Sequence, residues 1–310
     1  MTITVSGKSG IKATILADSI SPQGNRITTY EIEYPRFILS EMNTHRMLSK
    51  NSASSRAIPI ATMHEHIKAN TAMPVHWGKN QPGMSAREEV DELTKNAAIG
   101  VWDAARDSAI AHSKVLSDMG IHKQIANRTT EPYMMMKTVL TGTEFANLFW
   151  LRKHEDAQPE FHELARCMYD ALHSSMPNIL LHGDWHLPYV TTRRTKDKAI
   201  SYEYFVGDEK VDIETSKQVS ASCCAQVSYR RLDDSIEKAK DIFERLINST
   251  PVHASPVEHQ ATPMRHPNGR TYYGDWEEGV THMRRDGSLW SGNLQGWIQY
   301  RQLIPNNSKW

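Results

Sequence analysis

Cysteine is scarce in this 310-residue chain. Three residues, Cys167, Cys223 and Cys224, cannot build a disulfide framework. A reducing, cytoplasmic setting is the expectation. Long hydrophobic runs are missing as well. No window approaches the roughly 18 consecutive apolar residues of a membrane-spanning helix. Met1-Thr2-Ile3-Thr4-Val5 is not a basic region followed by a long apolar run, so no secretory signal is expected. Neither sign of charge is in excess, since 36 Lys plus Arg balance 36 Asp plus Glu. That excludes a general nucleic-acid coat protein, which needs a basic surplus. A local anion site made of a few arginines stays open. No linker or low-complexity segment divides the chain, and the apolar fraction of 39% is enough for a globular core. We expect one α+β domain over residues 1–310, rich in helix.

What is present is patterned. Ile11 to Ala17 reads as a short strand. Tyr30, Ile32 and Tyr34 alternate with Glu31 and Glu33, the period of a half-buried strand. Pro35 suits a first helical turn, so that strand is expected to run into a helix over residues 36–47. Residues 74–84, with Gly78, Pro82 and Gly83, read as loop. Ser85-Ala86-Arg87-Glu88 is a capping-box pattern. Behind it Val90, Leu93, Ala97, Val101, Ala104 and Ala105 repeat at helical spacing, and Gly120 ends the helix. Further helices are expected from Ile121 past Ala126, over 160–172, and from Ser235 to Ile247. Residues 176–200 are mixed. The last fifty residues hold Trp276, Trp290, Trp297 and Trp310 with no clear organisation.

The densest chemical signal runs from Thr44 to Arg56. Arg46 and Arg56 bracket Ser49, Asn51, Ser52, Ser54 and Ser55. Arginine forks suit phosphate, and serine hydroxyls with successive backbone N–H groups complete an anion cradle. The same residues also suit a polar helix end and loop. Their order is more specific than their types. His45, Arg46, Ser49, Asn51, Ser54 and Arg56 resemble the signature of the flavin-dependent thymidylate synthases, Arg-His-Arg-x-x-Ser-x-Asn-x-x-Ser-x-Arg, with Thr44 in place of the first arginine. Asn147-Leu148-Phe149-Trp150-Leu151-Arg152, then Ala157-Gln158 and Glu160, resemble the family's Asn-x-x-x-Leu-Arg…Ala-Gln-x-Glu segment. Ala225-Gln226-Val227-Ser228-Tyr229, a helix, and His253-Ala254-Ser255-Pro256-Val257-Glu258-His259 resemble its N-terminal part. Here that part follows the signature, so the order is circularly permuted. Gly296 to Leu303 faintly resembles a second copy of the helix carrying His45 and Arg46, or else a Trp-anchored C-terminal helix.

The resemblance, to a divergent virus-type member, implies a flavin-dependent thymidylate synthase-like fold: a mixed sheet with long helices in permuted segment order. Residues 1–215 would hold the signature and catalytic part, and residues 216–310 the permuted part with the Trp-rich tail. It implies FAD, with NADPH and methylenetetrahydrofolate as co-substrates. One carbon goes to C5 of a deoxypyrimidine monophosphate, dUMP to dTMP. By this resemblance His45, Arg46, Asn147 and Ser255 bind the flavin. Ser54, Ser55 and Arg56 hold the nucleotide phosphate. Arg152 is the catalytic residue against the pyrimidine, where a permanent cation stabilises a developing anion. Read alone, Arg152 also fits a surface helix end. No nucleic acid or membrane partner is implied. A homotetramer with shared flavin sites in the cytoplasm, the host's if viral, is.

Departures from the family pattern fall on the nucleotide side. Glu41 replaces a glutamine, Ser52 a glutamate, and Asn127, beside Arg128, a phosphate-binding arginine. Asp156 stands where the family has a histidine. Glu41, Ser52, Asn127 and Arg128 are therefore candidate substrate residues in a rebuilt pocket. A dUMP or dCMP hydroxymethylase, and an inactive flavin- or nucleotide-binding protein on the same scaffold, are the alternatives. Other clusters read as structural. His182-Gly183-Asp184-Trp185-His186 could place three ligands on one face of a strand, but Trp185 and Pro188 fit an ordinary loop, and no metal is expected. His64 and His66 would point apart on a helix. Cys223 and Cys224 read as small buried residues rather than nucleophiles. Met134 to Met136 reads as helix packing.

Overall fold

The computed structural model describes residues 2–195, 201–228, 232–265 and 275–309. Tyr229 and Trp310, singled out above, lie outside them. The N-terminal strands β1 (Ile3–Ser6), β2 (Lys12–Ile20) and β3 (Arg26–Pro35) form an antiparallel meander. The chain then enters a 3-10 turn and α1 (Leu39–Asn43), strand β4 (Ser49–Ser52) and α2 (Ile60–Ala69). The long α3 (Glu92–Asp118) and short α4 (Lys123–Ala126) lead to β5 (Met135–Gly142), α5 (Ala146–Arg152) and α6 (Pro159–Ser174). Strand β5 inserts between β3 and β4, giving the order β1-β2-β3-β5-β4, and β6 (Asn178–Ile179) adds to β2 in parallel. The fold is thus mixed helix and sheet, with a mixed main sheet and one long helix.

Two layers sandwich that sheet because its strands alternate. Tyr30, Ile32, Tyr34, Met136 and Leu140 face α5 and α6, packing on Leu148, Phe149, Phe161, Leu164 and Met168. The opposite face carries Thr29, Glu31, Val139, Thr141, Ser49 and Asn51. It is covered by the C-terminal part: β7 (Thr191–Arg194), β8 (Tyr202–Val206), β9 (Glu209–Val211), α7 (Ile213–Ala225) and α8 (Ile236–Ile247). That part also holds β10 (Ala261–Pro263), β11 (His282–Met283), β12 (Leu289–Ser291), β13 (Leu294–Gln295) and β14 (Trp297–Gln299).

A buried polar chain stitches the C-terminal layer to the sheet. Ser19 Oγ meets His186 Nδ1 at 2.9 Å, and His186 Nε2 meets Thr29 Oγ1 at 2.8 Å. Thr29 and Thr141 pair across β3 and β5 at 2.7 Å, and Thr141 Oγ1 meets His259 Nδ1 at 2.8 Å. Ser49 donates to Asn293 and Asn51 to the Cys224 carbonyl.

Several sequence expectations need correction. The helix after Pro35 stops at Asn43, so His45 and Arg46 sit in a turn. The capping box at Ser85 is unused. Residues 86–90 instead pair with 76–79, and Asp91 caps α3 by accepting from the Thr94 N–H at 2.9 Å. Met135 and Met136 lie in strand β5, not a helix. Residues 297–303 form β14 and a single 3-10 turn rather than a helix. The face of α3 named above as apolar is exposed, and the buried side carries Trp102, Arg106, Ile110 and Ser113. Trp102 donates to the Ala72 carbonyl at 3.0 Å, Arg106 to Thr71 at 2.9 Å, and Ser113 meets His64 at 2.9 Å. An aromatic and polar buried face outcompeted a purely aliphatic one.

Candidate functional site

The signature turn and the end of α5 meet at one guanidinium. Arg152 Nε donates to His45 Nε2 at 3.0 Å, and its Nη2 donates to Thr44 Oγ1 at 3.3 Å. The guanidinium carbon lies 4.8 Å from the centroid of the Phe161 ring, a cation–π arrangement. His45 meets the same ring edge-on at 5.4 Å. Arginine only donates, so His45 Nε2 accepts and the imidazole is neutral, with its proton on Nδ1. Partial burial, Arg152 and Lys50 together lower its pKa to about 4. Thr44 is fixed in turn, because its hydroxyl donates to the Glu41 carbonyl at 2.6 Å. Thr44 thereby supplies an acceptor where an arginine would repel Arg152.

Phe161 is placed by the segment before it. Gln158 caps α6 by accepting from the Phe161 N–H at 2.8 Å, and Pro159 fits the first turn. Buried Glu160 accepts from the Val75 N–H at 2.7 Å. The Ala157-Gln158-x-Glu160 segment is therefore a cap that aims Phe161 at Arg152. Sequence reading missed Phe161 and the acceptor role of Thr44. The aromatic residue directly after the capping segment was the available signal.

Several of the residues expected at the phosphate gather at a second point. Buried Ser55 donates to Glu131 Oε1 at 3.0 Å, and the same oxygen meets Arg36 Nη2 at 3.0 Å and Arg128 Nη1 at 3.5 Å. Asn127 is fully buried, and its Nδ2 donates to the carbonyls of Ser55 at 2.7 Å and Ile58 at 3.0 Å. It holds the loop rather than facing solvent. Arg56 is exposed, and its N–H donates to Ser54 Oγ at 3.3 Å. Ser52, also exposed, meets Thr138 at 2.8 Å. Glu41 accepts from Ser40 at 2.6 Å. Arg36 and Glu131 are further members that sequence reading did not single out.

Arg46, Asn147 and Ser255 are exposed, as is Trp150 at 76%. Ser255 opens a 3-10 turn that packs on β4, and among the described residues no hydrogen bond joins it to His45 or Arg152. A cavity of about 290 Å³ reaches Ala53 and Ser55 and is walled by Met63 and Met134 to Met136. A larger one, about 450 Å³, lies apart from the cluster, between β2 and residues 185–192.

Other candidates have taken structural places. His186 is locked in the buried chain, His182 Nδ1 meets the Pro263 carbonyl, and Asp184 accepts from the Leu181 N–H. Burial raises the Cys223 thiol to about 12 and Cys224 well above its usual value, which keeps both thiols protonated near neutral pH. Among the described residues no helix is long and apolar enough to cross a membrane.

A family model described as "Thymidylate synthase complementing protein" matches residues 21–178. No curated protein sequence matches the chain. Among solved structures, a UMP/dUMP methylase PolB from Streptomyces cacaoi bound with 5-Br dUMP is 16% identical. It covers 54% of this chain and 91% of that one, with a TM-score of 0.44. The same methylase bound with 5-Br UMP is 17% identical, covers 53% and 89%, and has a TM-score of 0.43.

Proposed function

The chain belongs to the thymidylate synthase complementing protein family, and from that premise we propose that it transfers one carbon from methylenetetrahydrofolate to C5 of a deoxypyrimidine monophosphate, dUMP to dTMP. The observation that carries this reading is Arg152, pinned by Thr44 and His45 over Phe161. A guanidinium fixed in advance stabilises negative charge developing on a pyrimidine without reorganising during the reaction. Its Nη1 has no partner among the described residues and is available for the base. Neutral His45 holds Arg152 without competing for a proton. Ser54, Ser55 and Arg56 would bind the phosphate, which would take the place of the Glu131 carboxylate that Ser55, Arg36 and Arg128 now share.

FAD is the expected cofactor and NADPH its reductant. The donor set suits a group carrying phosphates: Arg46, the amide of Asn147 and the hydroxyl of Ser255 are all exposed. Bound FAD would supply the hydride chemistry, and the protein's own residues bind and orient. The exposure of these residues fits sites completed between subunits of a homotetramer. We read residues 253–259 as the family's N-terminal segment in permuted order. Its packing on β4 supports that reading.

A second reading, dCMP as substrate, is favoured by Glu41. Its carboxylate sits in α1 just before the Thr44–His45 turn, and a carboxylate accepts hydrogen bonds from the exocyclic amine of cytosine. Incubation with FAD, NADPH, methylenetetrahydrofolate and either nucleotide, followed by product mass, tests both. Methylated dUMP is the expected product. Turnover of dCMP alone, or an added hydroxymethyl group, would replace the primary reading. No product from either nucleotide, despite bound flavin, would leave only a binding protein.

A further inference from the structure

Strands β4 and β5 pair up to Ser49 and Thr141 and then part. Ahead of Ser49 lies the turn of His45 and Arg46. Beyond Thr141 the chain enters α5, which ends at Arg152. The Arg152–His45 contact therefore joins two segments that the sheet has already released. A single hydrogen bond contributes little net stability, so this fork needs a brace.

The C-terminal unit β11–β13 grips both branches of the fork. On the signature side, Asn293 Nδ2 donates to the Met47 carbonyl at 3.3 Å, and Asn293 Oδ1 accepts from Ser49 Oγ at 3.0 Å. On the α5 side, the Gln295 N–H donates to Thr143 Oγ1 at 3.0 Å. Arg284 reaches both branches by itself. Its Nη1 lies 3.2 Å from each carboxylate oxygen of Glu144, and its Nη2 donates to Met47 Sδ at 3.6 Å. Met47 directly follows Arg46, and Glu144 stands just ahead of α5.

The unit is itself stiff. The Arg284 N–H donates to the Ser288 carbonyl at 2.9 Å and closes the turn between β11 and β12, where Gly287 takes φ +85. The Arg284 guanidinium carbon lies 3.7 Å from the centroid of the buried Trp290 ring, a cation–π contact that fixes its plane. Gly292, at φ +58 between β12 and β13, sets Asn293 in place, and a Cβ there would come within 2.5 Å of the Gln299 amide oxygen. The unit lies beyond residue 178, outside the segment that matches the family.

We propose that β11–β13 is a brace that sets the distance between the signature turn and α5, with Arg284 the positioning residue that keeps Arg152 within reach of His45. Helix α5 has only seven residues, about 10 Å of rise, so a shift at Glu144 is carried to Arg152 as a rigid-body displacement. The brace stands on this chain's geometry. Only its kinetic consequence rests on the proposed one-carbon transfer.

The His45 ring reports the brace without turnover. While Arg152 donates to Nε2, the ring proton sits on Nδ1, and a ring released from Arg152 loses that bias. Proton–nitrogen correlation spectra of the full chain, labelled at histidine and held at neutral pH, distinguish the two forms, with His45→Gln assigning the signal. Wild type is expected in the Nδ1–H form. In Arg284→Gln and in Asn293→Ala the Nε2 signal should move toward its protonated position, kcat should fall by about 10- to 100-fold, and KM should hold. The melting temperature of Arg284→Gln should hold too, since Arg284 and Glu144 are 36% and 39% exposed and such pairs add little stability. A wild-type ring in the Nε2–H form, or an unmoved signal in both variants, overturns the proposal whatever the turnover. If Arg284→Gln melts early, Glu144→Gln cuts the same tie from the α5 side, and its His45 signal decides. A moved signal with no turnover even in wild type upholds the brace and sinks only the one-carbon transfer.

Discussion

Acidification should unfold this protein through two histidines that face no solvent. His186 and His259 are buried at the two ends of the Thr29–Thr141 bridge. Burial lowers the pKa of His186 from 6.5 to about 4, and burial together with His186 lowers His259 from 6.5 to about 3. The unfolded chain therefore takes up both protons as pH falls through about 6.5, whereas the folded chain resists them down to about 4. Unfolding binds protons across that window, so stability drops as pH falls. Between pH 7 and 5.5 each histidine should cost about 1.2 kcal/mol, roughly 2.5 kcal/mol together. That is a large share of the 5–15 kcal/mol typical of a domain. Ordinary carboxylates stay ionised over this range, so the loss belongs to histidines, and half-buried His45 and His64, also lowered by burial, add to it in the same direction. Urea unfolding at the two pH values is the assay. Equal stability at pH 7 and 5.5 would refute the argument and mean that these rings gain protons inside the folded state. Thr141→Val keeps the shape of the bridge and removes its hydroxyl. It should cost about 1–3 kcal/mol at pH 7, since His259 loses its partner on Nδ1.

Other outcomes follow from contacts already described. Arg152→Lys retains the charge but cannot hold His45 and Thr44 together while presenting a further donor. Turnover should fall by about 10²–10³-fold with little change in melting temperature; near-normal turnover would remove Arg152 from the chemistry. Asp91→Ala deletes the cap of α3 and should cost about 1 kcal/mol by urea titration. An unchanged midpoint would mean that the cap contributes nothing. Asn127→Ala leaves the Ser55 and Ile58 carbonyls without their donor, and a loss of about 1–3 kcal/mol is expected. A loss of nucleotide affinity at unchanged stability would instead place Asn127 against the substrate.

The sheet was the most legible part of the chain. Alternation in Tyr30, Ile32 and Tyr34 showed which side of β3 packs on α6, while the other side, read as solvated, is covered by the C-terminal layer. The order His45, Arg46, Ser49, Asn51 pointed to the turn where Arg152 docks. Three things were not legible. The capping box at Ser85 satisfied a local rule, but pairing with residues 76–79 took those backbone groups, and the decision lay outside the window. The aliphatic stripe on α3 obeyed the helical period but not its usual meaning, because Trp102 and Arg106 found buried partners on the other side. The convergence of Arg36, Arg128 and Ser55 on Glu131 needs segments far apart in the chain, and no spacing announces it.

The main sheet is a party wall. One side belongs to α5 and α6 and the other to the C-terminal layer, and each tenant lacks a wall of its own. Thr29, Thr141, Ser49 and Asn51 end on partners from beyond residue 185. A chain severed at the β8–β9 hairpin, where Gly207 turns at φ +58, would part Thr141, Ser49 and Asn51 from His259, Asn293 and Cys224 while leaving Thr29 with His186, and the two pieces are expected to associate when made together. Each piece would expose one side of that contact, so recovery of the folded protein from the two would report their association.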